Sequence, residues 1–215
     1  HPHALPTADS PFALQTVFGH EGLVGLGIGL DWQLPKLWAS SNSLTLEITN
    51  ADNVSAFAGA DWDDPAFLLR HTGFFELSSD SYLDLGFNWA FGPNDASGDH
   101  QTDVYGADVS YVWEPVNRAK YRNLELRGEY IRTRFETEEA ATISSSSLYA
   151  YLSAKLSRRW TIGLRYDDTE LPWDRFELYD GMEFREGLGE RAISPFITFW
   201  QSEYVRMRLQ YQNVS

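Results

Sequence analysis

The chain has no cysteine, only two methionines and no apolar run that approaches 18 residues. Without cysteine there is no disulfide framework and no thiolate-ligated zinc. Without a long apolar run there is no membrane-spanning helix, although a barrel strand needs only about 10 residues with every second one apolar. Positive charge is also scarce. Against 31 Asp and Glu there are 17 Lys and Arg, a net charge of −14, which argues against a broad nucleic-acid surface, since phosphate binding wants clustered Lys and Arg, and no nucleic-acid partner is expected. Catalytic signatures are missing too. There is no G-x-S-x-G, no H-E-x-x-H and no P-loop, and Gly25, Gly27 and Gly29 alternate along a strand rather than opening a helix. His71 and His100 fall in no triad spacing, so no enzymatic activity and no cofactor are expected. The chain begins at His1 without a signal peptide and reads as a mature form or a cut piece.

Aromatics are abundant, at 15% of the chain, as suits strands and the aromatic belts of membrane barrels. The clearest stretch is Tyr82 to Ala90. Leu83, Leu85, Phe87 and Trp89 share one face, and Tyr82, Asp84, Gly86, Asn88 and Ala90 share the other. That period of two marks a β-strand. About ten such strands are predicted between residues 22 and 215, preceded by an extended or plug-like lead-in over 1–21. Their cores lie at Leu26–Leu34, Leu44–Ile48, Phe67–Leu77, Leu83–Trp89, Tyr105–Trp113, Leu124–Tyr130, Leu148–Leu156, Trp160–Asp167, Ala192–Trp200 and Val205–Tyr211. The alternation slips near Ile131, which predicts a bulge there, and Pro195 sits awkwardly inside a strand.

The connections are expected to alternate. Short turns follow the third, fifth, seventh and ninth strands. Long polar loops run over Ala51–Pro65, Gly92–Gln101, Glu136–Ser146 and Thr169–Glu190. Antiparallel neighbours then place the turns at one end and the loops at the other, the layout of an all-β, antiparallel, up-and-down transmembrane β-barrel. A Greek-key sandwich has no reason to keep that order.

In such a barrel the inward charges line the water path and tune ion selectivity. The candidates are Glu47, Arg70, Asp84, Asp108, Glu125, Arg127, Glu129, Lys155, Arg165, Asp167, Arg206 and Arg208. Alternatively they pair across strands and merely solvate the wall. The row Glu125-Arg127-Glu129 is the most telling, because three charges on one strand face do not enter a dry core cheaply. Arg165, Arg206 and Arg208 suggest a basic strip that attracts anions. Trp32, Trp89, Trp113, Trp160, Tyr111, Tyr166 and Tyr211 lie near the ends of outward faces, as an aromatic belt does. Asp61, Asp63 and Asp64, with Asp52 and Asn53, resemble a Ca²⁺ loop but lack EF-hand spacing, so a solvated acidic loop is expected. His1, His3 and His20 are candidate metal ligands; no metal site is expected there.

Two stretches carry a family resemblance. One runs from Tyr149-Ala150-Tyr151-Leu152 through Ser157-Arg158-Arg159-Trp160 to Gly163-Leu164-Arg165-Tyr166-Asp167. The other joins Ile193-Ser194-Pro195-Phe196, Phe199-Trp200-Gln201-Ser202-Glu203-Tyr204 and Arg206-Met207-Arg208-Leu209-Gln210-Tyr211. Over roughly Leu148 to Tyr211 the chain resembles the C-terminal half of porin-like Gram-negative outer-membrane proteins. These include the phosphate-selective porin type and the group named zinc-regulated, TonB-dependent outer-membrane receptors. Such proteins usually end on a terminal aromatic and are longer at the N-terminus. This chain ends Asn213-Val214-Ser215, so a segment of a larger barrel, or a barrel without its closing hairpin, is expected.

The resemblance implies a bacterial outer-membrane channel for passive diffusion of small polar solutes or ions, with membrane lipid as a partner and further copies of the chain as a candidate one. One alternative is a TonB-coupled receptor barrel for a ligand or metal complex. Another is a soluble β-barrel that binds a small ligand.

Overall fold

A computed structural model describes residues 6–215 except 20–22, 24, 51, 54–55, 59–61, 138–141, 171–188 and 203–204. His1, His3, His20 and Asp61 therefore lie outside the described residues. The elements in order are α1 (Phe12–Phe18), β1 (Gly27–Leu34), β2 (Ser41–Thr49), β3 (Asp52–Asn53), β4 (Phe57–Ala58), β5 (Ala66–Ser78), β6 (Ser81–Pro93), β7 (Gln101–Trp113), β8 (Asn123–Glu136), β9 (Thr142–Lys155), β10 (Trp160–Glu170), β11 (Gly189–Trp200), β12 (Arg206–Gln210) and β13 (Asn213–Val214).

The fold is all-β. One antiparallel sheet of eleven strands runs β1-β2-β5-β6-β7-β8-β9-β10-β11-β12, with β13 also on β11. Every neighbour in space is the next long strand in sequence, as alternating short-range patterning dictates. The sheet is open: among the described residues β1 pairs with β2 alone and β12 with β11 alone. The outward apolar residues of these edges are the barest of all, Ile28 at 76% and Leu209 at 72% exposure.

Two sequence expectations need correction. No bulge occurs at Ile131, because both ladders of β8 run through it without a register shift. The slip in polarity arises because Ile131 and Thr133 point inward, where Ile131 joins a buried apolar cluster with Val17, Phe57, Ala66, Ala90 and Val104. The alternation of loop lengths also fails, because the loop-end connections 94–100 and 137–141 are both shorter than the turn-end connection 114–122. β8 and β9 extend so far that only 137–141 joins them.

Pro195 is accommodated at a definite cost. It sits opposite Tyr211, whose N–H donates to the Pro195 carbonyl at 3.0 Å, but proline has no N–H to return. The ladder breaks there, which is why β12 ends at Gln210 and pairing resumes at Ile193↔Asn213 in β13. Inside the long connection after β2, the small hairpin β3–β4 brings Phe57 onto the inner face of the sheet, 1% exposed.

Candidate functional site

The two faces of the sheet have opposite characters. Outward positions carry Leu69, Phe87, Leu126, Leu152, Ile162, Leu164 and Ile197, all exposed. Inward positions carry Thr102, Ser110, Thr133, Ser147, Ser153, Ser194 and Thr198, all buried, with Arg165 and Asp167 at 0%. Polar side chains predominate inside, where Val104, Ile131, Tyr149, Tyr151 and Phe196 are also buried, and the exposed large apolar ones stand outside. Among the described residues the hydroxyls of Thr102, Ser110, Thr133, Ser147 and Ser194 have no protein partner.

The outer apolar surface is a band with a slanting upper limit. The first polar outward residue is Arg191 on β11 and its partner Asp168 on β10. It is Ser146 on β9 and its partner Arg132 on β8, then Asp103 on β7. Between β10 and β9, and again between β8 and β7, the limit moves by two residues. An average of one residue per strand pair corresponds to a strand tilt of about 35°. On β7 the band runs from Tyr105 to Trp113, about 27 Å of strand and about 22 Å after tilting. Six of the belt candidates fall near its two limits. Trp32, Trp113, Tyr111 and Trp160 lie toward the turn end, and Trp89 and Tyr166 toward the loop end, where Trp89 Nε1 donates to Asp103 at 2.9 Å. Tyr211 lies farther from the limits, beside Pro195.

On the inner face the predicted charges fall into two groups. The first spans β5 to β9 and is open. Arg70 grips Asp108 through both terminal nitrogens, at 2.9 and 3.1 Å, and Nη1 also donates to Asn88 Oδ1 at 2.5 Å. This bridge skips a strand. Asp108 reaches Arg70 over β6 because residue 86 is glycine; a Cβ there would lie 2.1 Å from Asp108 Oδ2. Glu129 stands opposite Asp108 and accepts from the Tyr149 hydroxyl at 3.0 Å. Glu125 accepts from the Tyr151 hydroxyl at 2.9 Å and from Arg127 Nε at 2.7 Å. Asp84 lies on the same face of β6, and Glu47 lies on the inner face of β2 beside Gly29. This group is a half-buried, partly paired acidic strip.

The second group is sealed. Arg165 and Asp167 point inward from β10, and the chain from Thr7 to Phe18 lies over them as a strap. Arg165 Nε donates to Asp167 Oδ2 at 2.7 Å, while its terminal nitrogens donate to Asp9 Oδ1 and Oδ2 at 3.1 and 3.2 Å and to the Asp9 carbonyl at 3.0 Å. The Phe12 N–H donates to Asp167 Oδ1 at 3.0 Å, which satisfies one of the open donors of α1. Gln210 Nε2 donates to Asp9 Oδ1 at 2.6 Å, and Gln210 Oε1 accepts from the Ala8 N–H at 2.8 Å. Arg208 donates to the Thr7 carbonyl. Behind this latch Ala13 of α1 packs on Tyr149 and Tyr151, and Val17 enters the cluster with Ile131 and Phe57.

The expected basic strip is therefore divided. Arg165 presents no charge to open space, because each of its three guanidinium nitrogens is engaged and it is fully buried. Arg208 is half committed to the strap. Arg206 remains exposed, with its guanidinium 5.5 Å from the Trp200 ring, and Lys155 lies near it beside Trp200.

The strap partners Asp9 and α1 were not among the sequence candidates. A signal was present: Ala13, Leu14, Val17 and Phe18 recur at helical spacing directly after Pro11. Among the described residues no group of three or more His, Asp or Glu is placed to hold a metal ion, and no helix is long and apolar enough to cross a membrane.

No protein-family model matches the chain, and no solved structure matches it. It is similar to an uncharacterized protein of Aquifex aeolicus, 27% identical over 198 aligned residues. The match covers 78% of this chain and 40% of that protein, so the chain spans less than half the length of that relative.

Proposed function

We propose that the sheet is the wall of a bacterial outer-membrane β-barrel of porin type, which passes small polar solutes or ions along its inner face. The inversion of the two faces carries the proposal. A soluble sheet buries most of its Leu and Ile and exposes its charges, whereas here most Leu and Ile stand outside, with Ile131 an inward exception, and Arg165, Asp167 and five unpartnered hydroxyls stand inside. Lipid rewards the first arrangement and water-filled space the second. The tilt and the height of the apolar band agree with the dimensions of barrel walls. Passage selects by width and by the charge of the strip Arg70, Asp84, Asp108, Glu125, Arg127 and Glu129, whose acids outnumber its bases. A soluble small-ligand barrel is disfavoured, since such a cavity would be apolar.

A second reading rests on the strap. A segment latched over the inner wall is what a plugged receptor barrel needs, and solute would then pass only on its release.

The decisive experiment is refolding with and without detergent. β-structure and heat-modifiable gel mobility that depend on micelles support the wall. A folded, monodisperse protein in plain buffer sinks it. Planar-bilayer conductance then separates an open channel from a plugged one.

A further inference from the structure

The connections at the two ends of the sheet differ in charge. The loop-end connections 50–65, 94–100 and 171–188 carry many more acidic than basic residues. At the turn end the balance reverses. The connection 114–122 presents Arg118, Lys120 and Arg122, and the connection 156–159 presents Arg158 and Arg159, all exposed. These two turns lie side by side, for the Arg158 guanidinium stands 5.6 Å from the ring centre of Tyr121. Arg206 adds a further exposed cation beside Trp200. Among the described residues none of these six cations has a carboxylate within ion-pair distance. Acids also lie at this end, Glu114 at the start of the first connection and Asp80, whose carboxylate accepts the Val116 N–H at 3.2 Å.

The collar adjoins the lower limit of the outer apolar band, marked by Trp113 and Trp160, and is interleaved with exposed Val116, Tyr121 and Leu156. Unpaired guanidiniums over aromatic rings, next to an apolar wall, match the boundary between acyl chains and phosphate. From this we infer that the turn-end collar is a docking surface for anionic phospholipid headgroups, with Arg158 and Arg159 on the phosphate and Tyr121 at the glycerol level. The assignment rests on the membrane-spanning reading above. It adds that the leaflet at the turn end is bound through its charge, so the lipid fixes the height and orientation of the wall. The complementarity is local: the loop end, with its acidic connections, would repel the same lipid.

The test uses the folded protein in zwitterionic detergent micelles. Short-chain phosphatidylglycerol and the matching phosphatidylcholine are added separately, and bound lipid is counted by native mass spectrometry. The expected result is a preference of about tenfold or more for phosphatidylglycerol, lost in Arg158→Glu/Arg159→Glu and weakened by salt. Arg118→Glu/Arg122→Glu gives a second, independent loss at the neighbouring turn. Arg132→Glu/Arg134→Glu, at the loop end of β8, leaves the preference intact. Heat-modifiable mobility confirms that each variant is folded. Equal retention of both lipids overturns the inference while leaving the barrel standing. So does a preference that follows Arg132 and Arg134. So does a preference abolished by millimolar inorganic phosphate, which would make the collar a site for free phosphate. Folding in plain buffer, seen before any lipid is added, removes the membrane reading itself and the inference with it.

Discussion

Arg70 and Arg165 occupy equivalent situations in sequence and opposite ones in space. Each points inward from the middle of a strand, and each pairs with carboxylates. Arg70 is 36% exposed in its side chain and its partner Asp108 21%. Arg165 and Asp167 are both at 0%. The strand pattern is the same on both sides of the sheet; the difference is the strap, which covers β9 to β12 and reaches the apolar cluster at Ile131 but leaves the charges of the β5–β8 strip half-exposed. Strand parity decides which way a side chain points. What lies above it is decided by chain far away in sequence.

Substitutions at the two arginines should therefore differ in kind. Arg165→Ala leaves Asp167 buried and Asp9 facing it without a cation, and the expected loss is about 3–5 kcal/mol, the range for breaking one side of a buried pair. Urea unfolding in micelles measures it. Arg70→Ala faces water on one side, and its expected cost is about 1 kcal/mol or less. Equal losses at the two sites would mean that the strap does not seal Arg165. Arg70→Ala should instead act on permeation. It removes the cation that neutralises Asp108, so reversal potentials should shift toward cation selectivity, and an unchanged potential would remove the strip from the solute path.

Removing residues 6–18 tests the comparison from the other side. With the strap gone, Arg165 and Asp167 join the open strip, and single-channel conductance should rise. Unchanged conductance would place the path away from β9–β11.

Gly86→Ala is a subtler probe on the open side. The new methyl group meets the Asp108 carboxylate, which must leave Arg70. The expected cost is about 1 kcal/mol, with a selectivity shift smaller than that of Arg70→Ala because the arginine is still present.

Much of this was legible in the sequence. The ten long strands follow from the period of two, and their order follows from the rule that neighbours in sequence pair when connections are short. The inward direction of Arg70, Asp108, Glu125, Glu129 and Asp167 follows from the same period. The latch was not legible, because Asp9 and Arg165 are 156 residues apart and no local pattern joins them. Ile131 shows the same limit. An inward isoleucine among inward charges looks like a slipped register, and only Val17 and Phe57, brought from elsewhere, explain it. Loop lengths failed for another reason. Ser144 to Ser147 is polar on both faces, because its outward side has already left the apolar band, so alternation vanishes while the strand continues.

The smallest expected effect concerns pH. Burial raises the Asp9 carboxyl, but the hydrogen bond and charge of Arg165 and the amide of Gln210 outweigh it, so its pKa lies below the ordinary 3.8. In the loop after β6, a hydrogen bond from His100 leads the effects that bring Asp95 down to about 2. A carboxyl depressed on folding contributes stability that is fully present above its unfolded value and is lost as pH falls through its folded one. Both contributions are thus complete above about pH 4 and fade below it. The two sites should nevertheless respond differently. Loss of charge at Asp9 frees the strap, so pepsin should cut within residues 7–18 increasingly as pH drops below 3.8. Loss of charge at Asp95 loosens only an exposed loop, and global stability should barely change. Asp9→Asn should make strap cleavage already high at pH 4 and flat below it, whereas Asp95→Asn should leave the cleavage profile where it is. A wild-type profile without pH dependence would show that Arg165 holds the strap through Asp167 and the Asp9 carbonyl, with no need of the Asp9 charge.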